Sequence, residues 1–174
     1  MAAITMNAED TRQLAWEQEL TNRLPVFGHR NWIVVADSAY PAQSKPGIET
    51  LVAGGDHIDT VKMVLERIGA SAHVRANVYV DRELDYVAEN DAPGIGDCRQ
   101  RLLAILKDEK SKDARIEQLA HEEIIAKLDA CAQTFRVLII KTCLTLPYTS
   151  VFFELDCGYW SAEAEARLRK AMEK

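Results

Sequence analysis

The sequence predicts an α/β fold: a single compact domain with a largely parallel sheet flanked by helices. Three observations predict it. Ile33 to Ala36 and Phe135 to Ile140 are apolar runs of strand length, as expected of strands covered on both faces. Between and around them lie stretches with apolar residues three and four apart, the period of amphipathic helices. The two kinds of segment alternate along the chain, which is the order that builds a parallel sheet with helical crossovers.

Taken in order, a first helix is expected from about Ala8 to Leu24. Asn7 is its candidate cap, and Trp16, Leu20 and Leu24 form its apolar stripe. Pro25 to Gly28 ends it, and a buried strand Trp32 to Ala36 follows. Ala39-Tyr40-Pro41 forces a turn, because a residue before proline avoids the helical region. Ser38 to Gly47 therefore reads as a loop. Asp56 caps a second helix, with Asp59 three residues on, as in a capping box. Val61, Val64, Leu65 and Ile68 face the core, and Gly69 is placed as the left-handed glycine after its end. His73 to Val80 alternates as a strand with one wetter face. Ala92 to Gly96 is a break. A third helix is expected from about Asp97 to Lys110, then a charged, solvated segment from Lys107 to Arg115 and a short strand from Ile116 to Leu119. Helix resumes from about Glu122 to Ala132. Leu146-Pro147-Tyr148 turns into a strand from Val151 to Leu155. The tail Ser161 to Lys174 is rich in Ala, Glu, Arg and Lys, a surface helix by propensity. Residues 1–160 thus form the domain and 161–174 a helical extension.

The chain has 174 residues, 48% of them hydrophobic, enough for one full core and short for two. A net charge of −6, a pI near 5.3 and no basic stripe argue against binding nucleic acid through phosphates. No apolar run is long enough to span a bilayer. Met1 to Asp10 lacks a basic stretch followed by an apolar one, so no secretory signal is expected and the protein is read as cytoplasmic. Cys98, Cys131, Cys143 and Cys157 form no Cys-x-x-Cys pair and are expected to be reduced thiols. Cys131 and Cys143, set among apolar residues, are expected in the core.

Three constellations could carry chemistry. His29 stands just before the first strand and Asp37 at its carboxyl end, where open α/β sheets collect ligands. Imidazole can give or take a proton at neutral pH. The eight residue steps from one to the other would span roughly 26 Å fully extended. Both groups can therefore serve one small ring only if neighbouring subunits share a site, and an oligomer is expected. His121, at a helix start, is held neutral by the positive end of the helix dipole and could hydrogen-bond a hydroxyl. Pro147-Tyr148-Thr149-Ser150 offers three consecutive hydroxyl side chains on a turn, able to grip a polyol. Each has a plainer reading: a loop histidine, a turn-capping aspartate, a solvated helix start, an ordinary strand entry. Asp56-His57-Ile58-Asp59 has metal-ligand residue types, but acidic residues at a helix start explain it better. Gly94-Ile95-Gly96 has too few glycines for a dinucleotide loop. Cys98 has no base nearby in sequence to activate it.

In this order and spacing the three constellations resemble the ribose pyranase and fucose mutarotase family, whose members are often labelled sugar-transport-associated. The family has a Gly-His loop, an apolar strand, then Asp and a turn ending in proline; here these are Gly28-His29, Ile33 to Ala36, Asp37 and Pro41. It has His-Glu at a helix start, here His121-Glu122, and Pro-Tyr-x-Asn before an apolar strand, here Pro147 to Ser150. The resemblance runs from about Thr11 to Gly158. It implies a compact α/β subunit in a ring-like homo-oligomer, with sites for a fucose- or ribose-like monosaccharide between subunits and no metal or organic cofactor. It implies that His29 transfers the proton and that Asp37, His121, Tyr148 and Ser150 hold the sugar. The implied activity is interconversion of the cyclic forms of a monosaccharide; the alternative is a non-catalytic monosaccharide- or metabolite-binding oligomer. The chain departs from the family at Arg30-Asn31, where Thr-Asp or Gly-Asp is usual, at Ser150 in place of asparagine, between Ile68 and Arg115, and in its extra tail. Arg30 would suit a carboxylate on the ligand, as in a sugar acid.

Overall fold

The computed structural model describes residues 8–107 and 115–173. The candidate cap Asn7, most of the charged segment and the expected end of the third helix at Lys110 lie outside them.

Elements follow the chain as α1 (Ala8–Arg23), β1 (Trp32–Ala36), β2 (Ile48–Val52), α2 (His57–Gly69), β3 (Val74–Asp81), a short 3₁₀ helix (Arg82–Tyr86), α3 (Ile95–Leu106), β4 (Arg115–Leu119), α4 (His121–Cys131), β5 (Val137–Lys141), β6 (Val151–Cys157) and α5 (Ala162–Met172). The strands form one sheet in the order β2-β5-β1-β6-β3-β4. β2, β5 and β1 run parallel, as do β3 and β4, while β6 lies antiparallel between β1 and β3.

The apolar run of β1 follows from its central position. Ile33 and Val35 enter the core on one face, with the α1 and α2 stripes Trp16, Leu20, Leu24, Val61, Val64 and Ile68. Trp32, Val34 and Ala36 enter the core on the other face, beneath Ile124 and Leu128 of α4. Successive side chains of a strand point to opposite faces, so a strand covered on both sides is apolar throughout. Trp32 also stacks on Tyr79 of β3 across β6, ring centroids 5.5 Å apart.

Four details depart from the sequence reading. β2 carried no strand signal, because it is an edge strand with Glu49, Thr50 and Val52 exposed. The 3₁₀ helix was likewise unmarked. Gly69 is the last residue of α2 rather than a left-handed residue beyond it; Ala70 closes the helix with right-handed angles and donates its N–H back to Glu66. Cys143 is exposed and Cys131 half-buried, and burial singles out Cys98 instead; all four cysteines are free. The environment of Cys98 raises its thiol pKa through burial, the reverse of activation.

Candidate functional site

The carboxyl ends of the five parallel strands share one edge of the sheet with the amino end of β6. From β1 the chain turns outward to β2, and from β3 it turns the opposite way to β4, with β6 between. This divergence is where open α/β sheets leave a crevice. The register sets what faces it. Val35, Val151 and Val80 are paired across β1, β6 and β3, so Asp37 and Asp81 flank Ser150.

Asp37 closes a local turn. Ala39 N–H donates to its Oδ1 at 2.9 Å, and the Ser150 hydroxyl donates to its Oδ2 at 3.0 Å. Ser150 is 2% exposed and also lies 3.3 Å from the Asp37 N–H. Two carboxylate oxygens and one hydroxyl are thereby locked in a fixed arrangement.

Asp81 is the residue the sequence reading missed. It is 1% exposed, and Oδ1 lies 3.1 Å from Nδ1 of His121, the first residue of α4. Oδ2 is buried without a hydrogen-bond partner among the described residues. Burial pushes the Asp81 carboxyl up to about 6; the attraction of His121 moderates the rise, and the Glu83 and Asp37 charges add to it. Above that pH the carboxylate accepts the Nδ1 hydrogen, leaving Nε2 of His121 to serve a ligand. The His121 backbone N–H donates to the Glu83 carboxylate at 3.1 Å, which fixes the helix start. The missed signal was local: Val78-Tyr79-Val80-Asp81 repeats the pattern of Val34-Val35-Ala36-Asp37, an apolar run closed by a carboxylate.

Tyr148 sits edge-on to His121, ring centroids 5.8 Å apart. Its φ of 57° lies in the left-handed region, where a bulky side chain is strained by about 1–3 kcal/mol. The phenol ring, 40% exposed, meets the imidazole edge-on.

His57, set aside as part of a helix start, supports this edge. It is 3% exposed, with Nδ1 2.8 Å from the Thr142 hydroxyl and Nε2 2.9 Å from the Thr149 carbonyl. A carbonyl only accepts, so Nε2 carries the hydrogen and the neutral ring ties the strand ends of β5 and β6 together. Burial lowers the pKa of His57. Asp56 caps α2 as the sequence reading expected, accepting from the N–H groups of Ile58 and Asp59.

His29 stands at the opposite edge. The five residues of β1 put about 17 Å between its ends at the usual strand rise. The turn that carries His29 is built by Asn31, whose side chain accepts from the Gly28 N–H at 2.8 Å, while Arg30 adopts a φ of 76°. His29 Nδ1 lies 3.4 Å from Asp156 Oδ1, and Arg75 donates to Asp156 Oδ2 at 2.6 Å. Burial raises the Asp156 pKa, but Arg75, the Cys157 N–H and His29 together hold it below the usual carboxylate range. A cavity of about 610 Å³ opens beside these groups, its far wall made by the segment leading into α5. So Asp37, His121, Tyr148 and Ser150 gather at one edge of the chain, and His29 faces a separate hollow at the other. Among the described residues no three of His, Cys, Asp or Glu gather closely enough to hold a metal ion, and no helix is long and apolar enough to cross a membrane.

The fold and site define a single-domain α/β protein that presents carboxylates, an imidazole and hydroxyls at the carboxyl edge of its sheet. The model of the RbsD / FucU transport protein family matches residues 12–157, and the chain belongs to that family. Bacillus subtilis RbsD, solved in complex with D-ribose, is similar over 90% of this chain and 97% of its own, at 19% identity and a TM-score of 0.55. The fucose mutarotase of Streptococcus pneumoniae, solved with L-fucose, is similar over 79% and 91%, at 21% identity and a TM-score of 0.50. FucU from Bifidobacterium longum is similar over 80% and 94%, at 18% identity and a TM-score of 0.53. At these identities the likeness establishes the fold. Among curated proteins no sequence matches the chain.

Proposed function

We propose that this chain interconverts the cyclic forms of a monosaccharide, as a mutarotase or pyranase acting in the cytoplasm. One observation carries the reading: in a chain of this family, the Asp81–His121 pair, with Tyr148 edge-on to the imidazole, shares one edge of the sheet with the Asp37–Ser150 pair. Opening the sugar ring removes a proton from the anomeric hydroxyl and delivers one to the ring oxygen; closing it on the other face reverses both transfers. Positioned proton transfer typically contributes about 10²–10⁴-fold. In this reading His29 is the catalytic imidazole, reaching the site from a neighbouring copy of the chain in a homo-oligomer. Asp37 and Ser150 hold sugar hydroxyls, His121 presents Nε2, and Tyr148 closes one side. Proton transfers suffice for this chemistry, so it calls for no cofactor.

The test is saturation-transfer NMR of anomer exchange on ribose, fucose and other aldoses with the full chain. Acceleration that is lost in His29→Ala is expected. Failure to accelerate any sugar, or undiminished exchange in His29→Ala, overturns the reading.

A second reading, a non-catalytic monosaccharide- or metabolite-binding oligomer, is favoured by the placement of His29 at the edge away from Asp37, engaged with Asp156. It predicts saturable binding dependent on Asp37 and Tyr148 with no change in exchange rate.

A further inference from the structure

The cavity beside His29 is walled on one side by the body of the domain and on the other by Tyr159, Trp160 and the first turns of α5. The family match ends at residue 157, so that second wall is an addition to the matched region. The addition contributes nothing to the core, because no residue of α5 is buried. It is nonetheless held in a definite arrangement. Ser161 caps α5 by accepting from the Ala164 N–H at 3.1 Å. The Trp160 indole Nε1 donates to Glu165 at 2.9 Å, and Arg169 Nε lies 2.8 Å from the other oxygen of the same carboxylate. An indole tethered by its nitrogen and still 43% exposed lines the cavity with apolar ring surface.

Charge supplies the second half of the argument. Arg30, Arg75 and Arg169 line the cavity against two carboxylates, Asp156 and Glu165. Arg75 is spent on Asp156 and Arg169 on Glu165. Arg30 lines the cavity and has no acidic partner among the described residues; its guanidinium carbon stands 5.7 Å from the centre of the Phe135 ring, a contact that leaves its charge unneutralised. A volume of about 610 Å³ is in the range of small-ligand sites. A polyol ring with C–H faces fits a fixed indole, and a planar guanidinium fits a carboxylate or phosphate.

We propose that the tail segment Tyr159–Arg169 completes a binding site around His29 for a monosaccharide carrying an anionic group, with Trp160 as the stacking face and Arg30 as the anion contact. The proposal rests on the reading of His29 as part of the sugar site, and it names the class of sugar. The site takes either a sugar acid or a sugar phosphate, since both offer a polyol ring with one anion.

The experiment is titration calorimetry of the full chain with D-glucuronate, D-galacturonate, D-ribose 5-phosphate and D-glucose 6-phosphate, each beside its neutral parent sugar, and with inorganic phosphate. At least one anionic sugar is expected to bind about tenfold or more tighter than its parent, and Arg30→Ala to erase that preference. Trp160→Ala is expected to weaken binding about tenfold, and Trp160→Phe to restore most of it. Equal binding of charged and neutral sugars, binding of none, inorganic phosphate matching a sugar phosphate, or indifference to Trp160→Ala each overturns the proposal. The two readings fail separately. Binding with these dependences but no accelerated anomer exchange sinks the catalytic reading alone. Exchange of neutral sugars that is equally fast in wild type and Trp160→Ala sinks the tail site alone.

Discussion

Asp81 holds its Oδ1 3.1 Å from Nδ1 of His121 while its Oδ2 is buried without a partner among the described residues. A carboxylate so placed is more costly to the fold than the acid form, because only one of its oxygens is compensated. Its benefit is directional: it fixes which imidazole nitrogen bears the hydrogen and where the other points.

That relationship predicts a trade between stability and function. The Asp81 carboxyl is pushed up to about 6 from an ordinary 3.8, so the native state binds this proton more tightly than the unfolded chain. Its contribution to stability is greatest below the ordinary value and is lost as pH rises through about 6. Asp81→Asn is therefore expected to raise stability by about 1–3 kcal/mol at pH 7.5. The gain should fade between pH 6 and 4, where Asp81 itself becomes protonated. Thermal unfolding across that range measures it, and a gain that does not depend on pH would refute the assignment. If His121 takes part in proton transfer, the same variant should lose about 10²-fold in anomer exchange.

A site shared between copies makes a prediction that a single-chain site does not. His29→Ala and Asp37→Ala should each be inactive alone. Mixed as refolded or co-expressed oligomers at equal amounts, they should recover about a quarter of wild-type exchange, since that share of interfaces pairs two intact halves. No recovery in verified mixed oligomers would exclude a site shared in this way. His29 is 55% exposed, so His29→Ala should leave stability within about 0.5 kcal/mol of wild type.

Tyr148 carries strain that glycine would relieve. Tyr148→Gly should keep or raise stability by about 1 kcal/mol, because glycine adopts a φ of 57° freely and the lost ring is outside the core. Ligand affinity should fall with the ring. A marked loss of stability, read by denaturant unfolding, would show that the ring packs rather than binds.

Gly47 and Gly158 are steric requirements. A Cβ at Gly47 would lie 2.7 Å from the Ala132 carbonyl oxygen, and one at Gly158 would lie 2.8 Å from both Ala72 O and Val74 N. Backbone atoms cannot swing aside, so Gly47→Ala and Gly158→Ala should each cost about 1–3 kcal/mol. Unchanged melting temperatures would contradict these close approaches.

The elements legible in advance were those with a local cause. β1 and β5 announced themselves by unbroken apolar runs, α2 by its Asp56 cap and stripe, and α5 by helix-forming residues with no core face. β2 was not legible, because an edge strand exposed at Glu49, Thr50 and Val52 has neither alternation nor an apolar run. The clustering of Asp37 with Ser150 and of His121 with Tyr148 was expected from a family resemblance, whereas Asp81 and His57 were passed over. Asp81 needed only its position after an apolar strand to be noticed; the use of His57, which reaches to Thr142 and Thr149, has no local trace.

The residue pattern by itself determined the fold class, the buried strands and the presence of a carboxylate at the end of β1, because periodicity, capping and burial act over a few neighbouring residues. The tertiary structure decided that β6 runs antiparallel between β1 and β3, that Asp81 meets His121 across forty positions, and that Trp160 lines the same cavity as His29. Contacts between distant segments depend on strand order and register, which many sequences with the same local pattern would satisfy differently.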